Sequence, residues 1–231
     1  WSKYRWAPVN AEHTASLRDE EGYMWHESDQ VEEHVDLDEV EGEIRAQIER
    51  CKRLGLTNPS HLDNHMGSLY GIETGRFELL ELTLSLAGEY GLPFRFPGSF
   101  TEAQFNNTML DINIDKSMIE MVFGKVVAFA KQQGVAIPDY LMPNEWNEPQ
   151  TQSYEQFREY LYDLYASIPE GVTETYLHPA KESDDLKGTS SVWERRVWEY
   201  RVMSDPATKQ HIEAHGIKLI NYRDLAAMRK A

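Results

Sequence analysis

Stretches with apolar residues at helical spacing alternate along this chain with short β-rich runs that end in polar side chains. From about Asp38 to Leu54, Val40, Ile44, Ile48 and Cys51 recur at intervals of four, four and three, one face of a helix. Acidic residues crowd its start, Arg50, Lys52 and Arg53 crowd its end, and Gly55 can stop it. Phe77, Leu80, Leu84 and Ala87 mark a second helix over Phe77–Tyr90, before Gly91. Further helices are predicted over Asp115–Gln133, Ser153–Ser167, Val192–Met203 and Ala207–Ala214, and from Asn221 onward. Between them, Ser60–His65, Leu92–Pro97, Val172–Leu177 and Ile217–Ile220 read as strands, while residues 1–35 read as an aromatic, acidic loop with a turn at Asp19–Tyr23. Such alternation implies a parallel sheet with helices packed on it, either open or closed as a barrel. There is no internal repeat and no low-complexity linker, so one α/β domain over residues 1–231 is the expectation.

The charge balance narrows the partners. With 39 acidic against 23 basic residues the net charge is −16, which argues against nucleic acid or an anionic membrane. No apolar run approaches the ~18 residues of a membrane span. The lone Cys51 cannot form an intrachain disulfide, and a cytoplasmic protein fits this composition.

The densest chemistry lies in Ser60-His61-Leu62-Asp63-Asn64-His65. In an extended strand His61, Asp63 and His65 share one face. Three polar groups aimed the same way are costly to bury without a ligand or partner. Neutral imidazole and carboxylate suit Zn²⁺ and related divalent ions, and a catalytic ion keeps one position open for water. His61 and His65 are therefore candidate metal ligands, and Asp63 is a candidate catalytic or orienting carboxylate. His65 and His178 both fall at carboxyl ends of predicted strands, where chemistry collects in parallel sheets. A lone histidine is ordinarily structural; His13, His26, His34, His211 and His215 fit that reading.

Several motifs, in order, carry a resemblance. His61-Leu62-Asp63-Asn64-His65-Met66-Gly67 is similar to a His-Leu-Asp-Ser-His segment, and Thr173-Glu174-Thr175-Tyr176-Leu177-His178-Pro179 to a Thr-Glu-Leu-Met-Val-His-Pro strand. Arg196 and Glu199, followed by Met203 and Ser204-Asp205-Pro206, resemble an Arg-x-x-Glu helix, and Gly216-Ile217-Lys218-Leu219-Ile220-Asn221-Tyr222 matches the ending. On these residues the whole chain resembles the YdjC-like carbohydrate deacetylases. That resemblance implies a distorted (β/α) barrel, a homodimer, a divalent cation (Mg²⁺ or Zn²⁺) and metal-assisted hydrolysis of an N-acetyl amide on an amino sugar. It makes His65 a metal ligand and His61 and Asp63 residues that orient the site. His178 becomes the acid or oxyanion stabiliser, and Arg95 a residue that binds carbonyl or sugar oxygens.

In relatives, the Trp-x-x-Tyr-Arg-Trp-x-Pro pattern of Trp1–Pro8 follows a Gly-x-His-Leu-Thr-Leu-Thr strand, itself preceded by a strand ending in Asp-Asp. Neither segment occurs in this sequence, so two of the implied ligands and the implied base are expected to be missing from it. Trp1, Tyr4, Trp6, Tyr23 and Trp25 form either a sugar-stacking rim or a cover over the barrel end. Met66-Gly67-Ser68-Leu69 stands where relatives acting on chitooligosaccharides carry a further histidine run, and Ala180 replaces a glycine after His178-Pro179. These departures bear on which sugar is used. Two other readings fit the same residues: a noncatalytic carbohydrate-binding protein on this scaffold, and a metal hydrolase of another amide.

Overall fold

The computed structural model describes residues 4–102, 106 and 116–230. In chain order its helices are α1 (Ser28–His34), α2 (Leu37–Arg53), α3 (Glu78–Tyr90), α4 (Lys116–Gln132), α5 (Tyr154–Ala166), α6 (Asp184–Thr189), α7 (Trp193–Ser204), α8 (Pro206–Ala214) and α9 (Tyr222–Lys230). Strand β1 (Tyr140–Leu141) precedes α5, strand β2 (Thr173–Glu174) follows it, and His65–Gly67 forms a 3-10 turn. The chain divides into two compact units. The first comprises Trp1–Phe96, Val122–Ile137 and Asn221–Ala231, and the second Pro97–Met121 and Pro138–Ile220.

In the first unit, α2 begins as its sequence predicts. Asp36 caps it, its carboxylate accepting from the N–H groups of Asp38 and Glu39 at 2.9 and 3.2 Å. Val40 packs with Leu17, Val35 and Leu79, and Ile44 lies against that cluster. Cys51, expected on the same face, is exposed in the last turn. Arg45 on α2 holds both carboxylate oxygens of Glu89 on α3 at 2.7 and 2.6 Å, a fork that fixes the helix pair. Helices also reach outward to hold loops. Glu43 accepts the N–H groups of Val9 and Asn10 at 2.9 and 2.8 Å, and buried Glu32 accepts those of Glu73 and Thr74 at 3.3 and 2.7 Å.

The region expected as loop contains α1. Gln30 accepts the main-chain N–H of Glu27 at 3.1 Å, and the His34 ring stacks on Trp25 with centroids 4.1 Å apart. The turn signal at Asp19–Tyr23 is realised: Asp19 N–H donates to the Tyr23 carbonyl at 2.7 Å, beside an antiparallel bridge between Arg18 and Met24. Gly71 has φ of +67°, and a Cβ placed there would lie 2.2 Å from the Arg76 carbonyl oxygen. Gly71→Ala is expected to lose about 1–3 kcal/mol through the strained backbone and a shifted 71–77 turn. A thermal melt indistinguishable from the parent protein's would refute that reading of the turn.

Extended segments lie side by side in each unit. Leu62 and Phe94 form a parallel bridge, with Leu62 N–H donating to Pro93 O at 2.9 Å and Arg95 N–H to Leu62 O at 3.2 Å. Phe94 N–H donates in turn to Ala136 O at 3.0 Å. In the second unit β1 pairs parallel with β2, Tyr140 opposite Thr173 and Leu141 opposite Glu174. Parallel pairing among many helices makes the chain α/β; these pairings do not by themselves establish a closed barrel. The strand expected at Ile217–Ile220 is absent from the described structure, and Leu219 is 70% exposed. β-rich composition needs a ladder partner to become a strand, and none is provided there among the described residues.

The second unit has its own core. Phe157, Leu161 and Tyr165 of α5 meet Val202 of α7 and Ile212 of α8. Trp146 packs edge-on against Phe157 and Trp198, centroids 5.3 Å away in both cases. Ser153 caps α5, its Oγ accepting from Gln156 N–H at 3.2 Å, and Asp205 caps α8 ahead of Pro206.

Candidate active site

In the first unit the bridge at Leu62 sets the orientation of its neighbours. The His61 ring lies flat on Tyr222, centroids 3.9 Å apart and planes 4° from parallel, with Nδ1 2.8 Å from Ser60 Oγ. Burial pushes the His61 pKa below the usual imidazole range; the Asp63 charge opposes this and the Arg95 charge adds to it. Asp63 Oδ1 is 2.6 Å from Arg95 Nε. Its pKa is raised because burial disfavours the carboxylate more than Arg95 stabilises it. Arg95 is held on two further sides: its Nη2 donates to Asn64 O at 3.2 Å, and its own carbonyl accepts from Tyr70 Oη at 2.6 Å.

The extended run ends at Asn64, with φ −118° and ψ 141°. His65 then opens the 3-10 turn instead of continuing the strand. Met66 and Gly67 both have positive φ, 58° and 74°, and turn the chain away. The alternation that would put His61, Asp63 and His65 on one face therefore stops one residue early. Asn64 is only 5% exposed, and neither its amide oxygen nor its nitrogen has a hydrogen-bond partner among the described residues.

Asp63, Asn64 and His65 line part of a cavity of about 790 Å³ in this unit, whose apolar wall includes Leu17, Val35 and Ile48. Tyr4, Trp6 and Trp25 also line it, and Trp6 is 68% exposed. Tyr23 instead carries the Arg5 guanidinium over its ring at 5.0 Å, and Trp1 lies outside the described residues. Asp63 is thus committed to Arg95, and His61 to Ser60 and Tyr222. No hydrogen bond or ion pair engages the exposed His65 ring among the described residues. One open imidazole is not a metal site, and no three His, Cys, Asp or Glu side chains converge as a ligand set among the described residues. The donors present do not by themselves fit a bound divalent ion.

The second unit contains a different polar cluster, beyond the carboxyl ends of β1 and β2. Glu199 on α7 is 0% exposed, with Arg195 one turn earlier and Asn144 three residues past β1. Glu199 Oε1 accepts from Arg195 Nε at 2.9 Å and from Asn144 Nδ2 at 3.0 Å. Arg195 Nη2 donates to the Asn144 backbone and side-chain oxygens at 2.7 and 2.9 Å. The remaining Glu199 oxygen accepts the backbone N–H of His178 at 2.7 Å. His178 itself is exposed, with its ring edge-on to Tyr176 at 6.0 Å. Sequence motifs pointed to Arg196 and Glu199; the residue that pairs with Glu199 is Arg195, while Arg196 Nε donates to Ser190 Oγ at 3.1 Å. Asn144 was missed. The readable signal was the line Arg195, Glu199, Val202, which places an ion pair at i, i+4 on the same helix face as a core valine.

The family described as YdjC-like protein matches residues 2–214, a span that includes the His61–Gly67 segment, His178 and Glu199. This chain belongs to the YdjC-like family. A carbohydrate deacetylase of Enterococcus faecalis is 30% identical over 212 residues, covering 91% of this chain and 69% of the relative. A carbohydrate deacetylase of Thermoanaerobacter pseudethanolicus is 26% identical over 208 residues, covering 90% of this chain and 68% of that one. A crystal structure of a candidate cellobiose-phosphate cleavage protein from Enterococcus faecalis V583 superposes with a TM-score of 0.66 at 28% identity. It covers 95% of this chain and 72% of its own.

Proposed function

We propose that this YdjC-like protein is a carbohydrate deacetylase, removing the N-acetyl group of an amino sugar or oligosaccharide. The observation that carries the reading is family membership together with two relatives named carbohydrate deacetylases, each aligned over nine-tenths of this chain. In the reaction a water adds to the acetyl carbon and the C–N bond breaks; acetate and the free amine leave. His178 is the residue proposed to give the departing nitrogen its proton or to stabilise the oxyanion. Arg95, held in place by Asp63, Asn64 and Tyr70, is proposed to bind substrate oxygens, with His61 and Asp63 orienting the segment around it. The aromatic side chains Tyr4, Trp6 and Trp25 at the cavity suit a pyranose face.

Dependence on a divalent ion, Mg²⁺ or Zn²⁺, is part of the proposal, with His65 as its ligand from this chain. The other ligands that the resemblance implies belong to Asp-Asp and His-Leu-Thr segments, and the test uses the full-length protein. A distorted (β/α) barrel, a homodimer and a cytoplasmic setting complete the proposal. No helix among the described residues is long and apolar enough to cross a membrane.

The aromatic-lined cavity also suits one competing reading, a noncatalytic carbohydrate-binding protein on the same scaffold. Acetate release from a panel of N-acetylated sugars, before and after chelation, separates the two. The expected result is release that stops with chelator, returns with divalent ion, and is accompanied by loss of bound metal in His65→Ala. Folded, metal-loaded protein that binds a sugar yet releases no acetate establishes the competing reading. Absence of both binding and release sinks both.

A further inference from the structure

The polar cluster beneath His178 has no role in the reaction as described so far, and its chemistry is unusual for a core. A fully buried ion pair stabilises a fold little over a well-packed apolar replacement, because desolvation offsets most of the attraction. Here the two Glu199 oxygens are each engaged: one is shared by Arg195 and Asn144, and the other takes a single main-chain N–H. That N–H belongs to His178, four residues past β2, where the chain has left its ladder and the pairing with β1 no longer sets its position. A second contact follows at Ala180, whose N–H donates to the carbonyl of Arg196 on α7 at 3.0 Å. The segment bearing the histidine is therefore fixed to α7, chiefly through a charged acceptor.

We infer that Glu199, held by Arg195 and Asn144, is a positioning residue that fixes the main chain of His178 for its part in the reaction. The inference rests on the deacetylase reading for the role of His178. Glu199 touches only the backbone of that residue, so it acts through the histidine's placement and not on substrate. A neutral isostere is the sharp test. In Glu199→Gln the new amide would present an NH₂ group to Arg195, Asn144 or His178, all of which donate, so at least one of these bonds must break.

The experiment compares the complete protein with Glu199→Gln, His178→Ala and the double variant. It measures kcat and KM for acetate release and hydrogen exchange at the His178 amide. Glu199→Gln is expected to speed exchange at that amide and to lower kcat about 10–100-fold with KM within about twofold, as misplacement of a catalytic group does. The double variant is expected to be no slower than His178→Ala alone, because Glu199 acts only through that residue. A folded Glu199→Gln protein with parental kcat and parental exchange overturns the inference, as does a double variant that loses both factors multiplied together. If Glu199→Gln does not fold, Asn144→Ala decides, since it removes one donor to Glu199 and leaves the ion pair; faster His178 exchange with reduced kcat supports the inference, and no change in either overturns it. A parent protein without acetate release removes the deacetylase reading, while amide exchange still shows whether Glu199 fixes His178.

Discussion

Arg195→Met is expected to cost about 3–5 kcal/mol of folding free energy, because it leaves the Glu199 carboxylate buried without its counter-charge. Glu199 is 0% exposed, so no rearrangement short of opening the core brings water to it. Asn144 Nδ2 and His178 N–H still donate to the carboxylate, but neutral donors replace only part of what the guanidinium supplied. The Asn144 oxygens lose the Arg195 donor as well. Against a typical total stability of about 5–15 kcal/mol, this is a large fraction. Urea denaturation should show a lower midpoint at unchanged slope. Arg195→Met combined with Glu199→Leu is expected to recover part of the loss, since removing both charges removes the uncompensated buried charge but leaves Asn144 and the His178 N–H without the Glu199 carboxylate that accepts from them. A midpoint shift equivalent to less than about 1 kcal/mol in the single variant would show that the pair is hydrated in solution.

Phe94→Ala is the second substitution with a large expected effect, again about 3–5 kcal/mol, from lost burial and the cavity left behind. Phe94 is fully buried, and its backbone joins the Leu62 and Ala136 segments. Its ring meets Tyr70 edge-on at 6.1 Å, and the same tyrosine donates to the Arg95 carbonyl. The damage should therefore spread to the residues that frame Arg95. Hydrogen exchange at Leu62 and Arg95, whose N–H groups bond across this bridge, should accelerate together with the fall in stability. Phe94→Leu should cost less, about 1–2 kcal/mol, by keeping most of the volume. Equal stability for Phe94→Ala and the parent would contradict the packing described.

The long helices were legible because their cores are periodic and their ends are marked. In α2 the spacing of Val40, Ile44 and Ile48, the acidic start and the basic last turn all agree. Helix α1 offered no such stripe: its seven residues are mostly polar, and its support comes from Trp25 stacking on His34, a contact no local pattern announces. Ile217–Ile220 failed in the other direction, with strand composition but no neighbour to pair with among the described residues. At the site, the Ser60–His65 motif marked the right residues. Alternation alone could not show that Met66 and Gly67 take the chain out of the strand, nor that Arg95, thirty-two residues beyond Asp63, claims its carboxylate. The Asn144–Arg195–Glu199 cluster needed distant segments to meet, and only its helical half was written in spacing.

The glutamates that reach from helices to loops carry an evolutionary corollary. Val9 and Asn10 donate to Glu43 through main-chain N–H groups, which every residue except proline supplies. For this contact any residue but proline serves at those two loop positions, while the acceptor on the helix should resist exchange even for glutamine. Variation among orthologues ought to be lopsided, with restless loops tethered by an unchanging carboxylate.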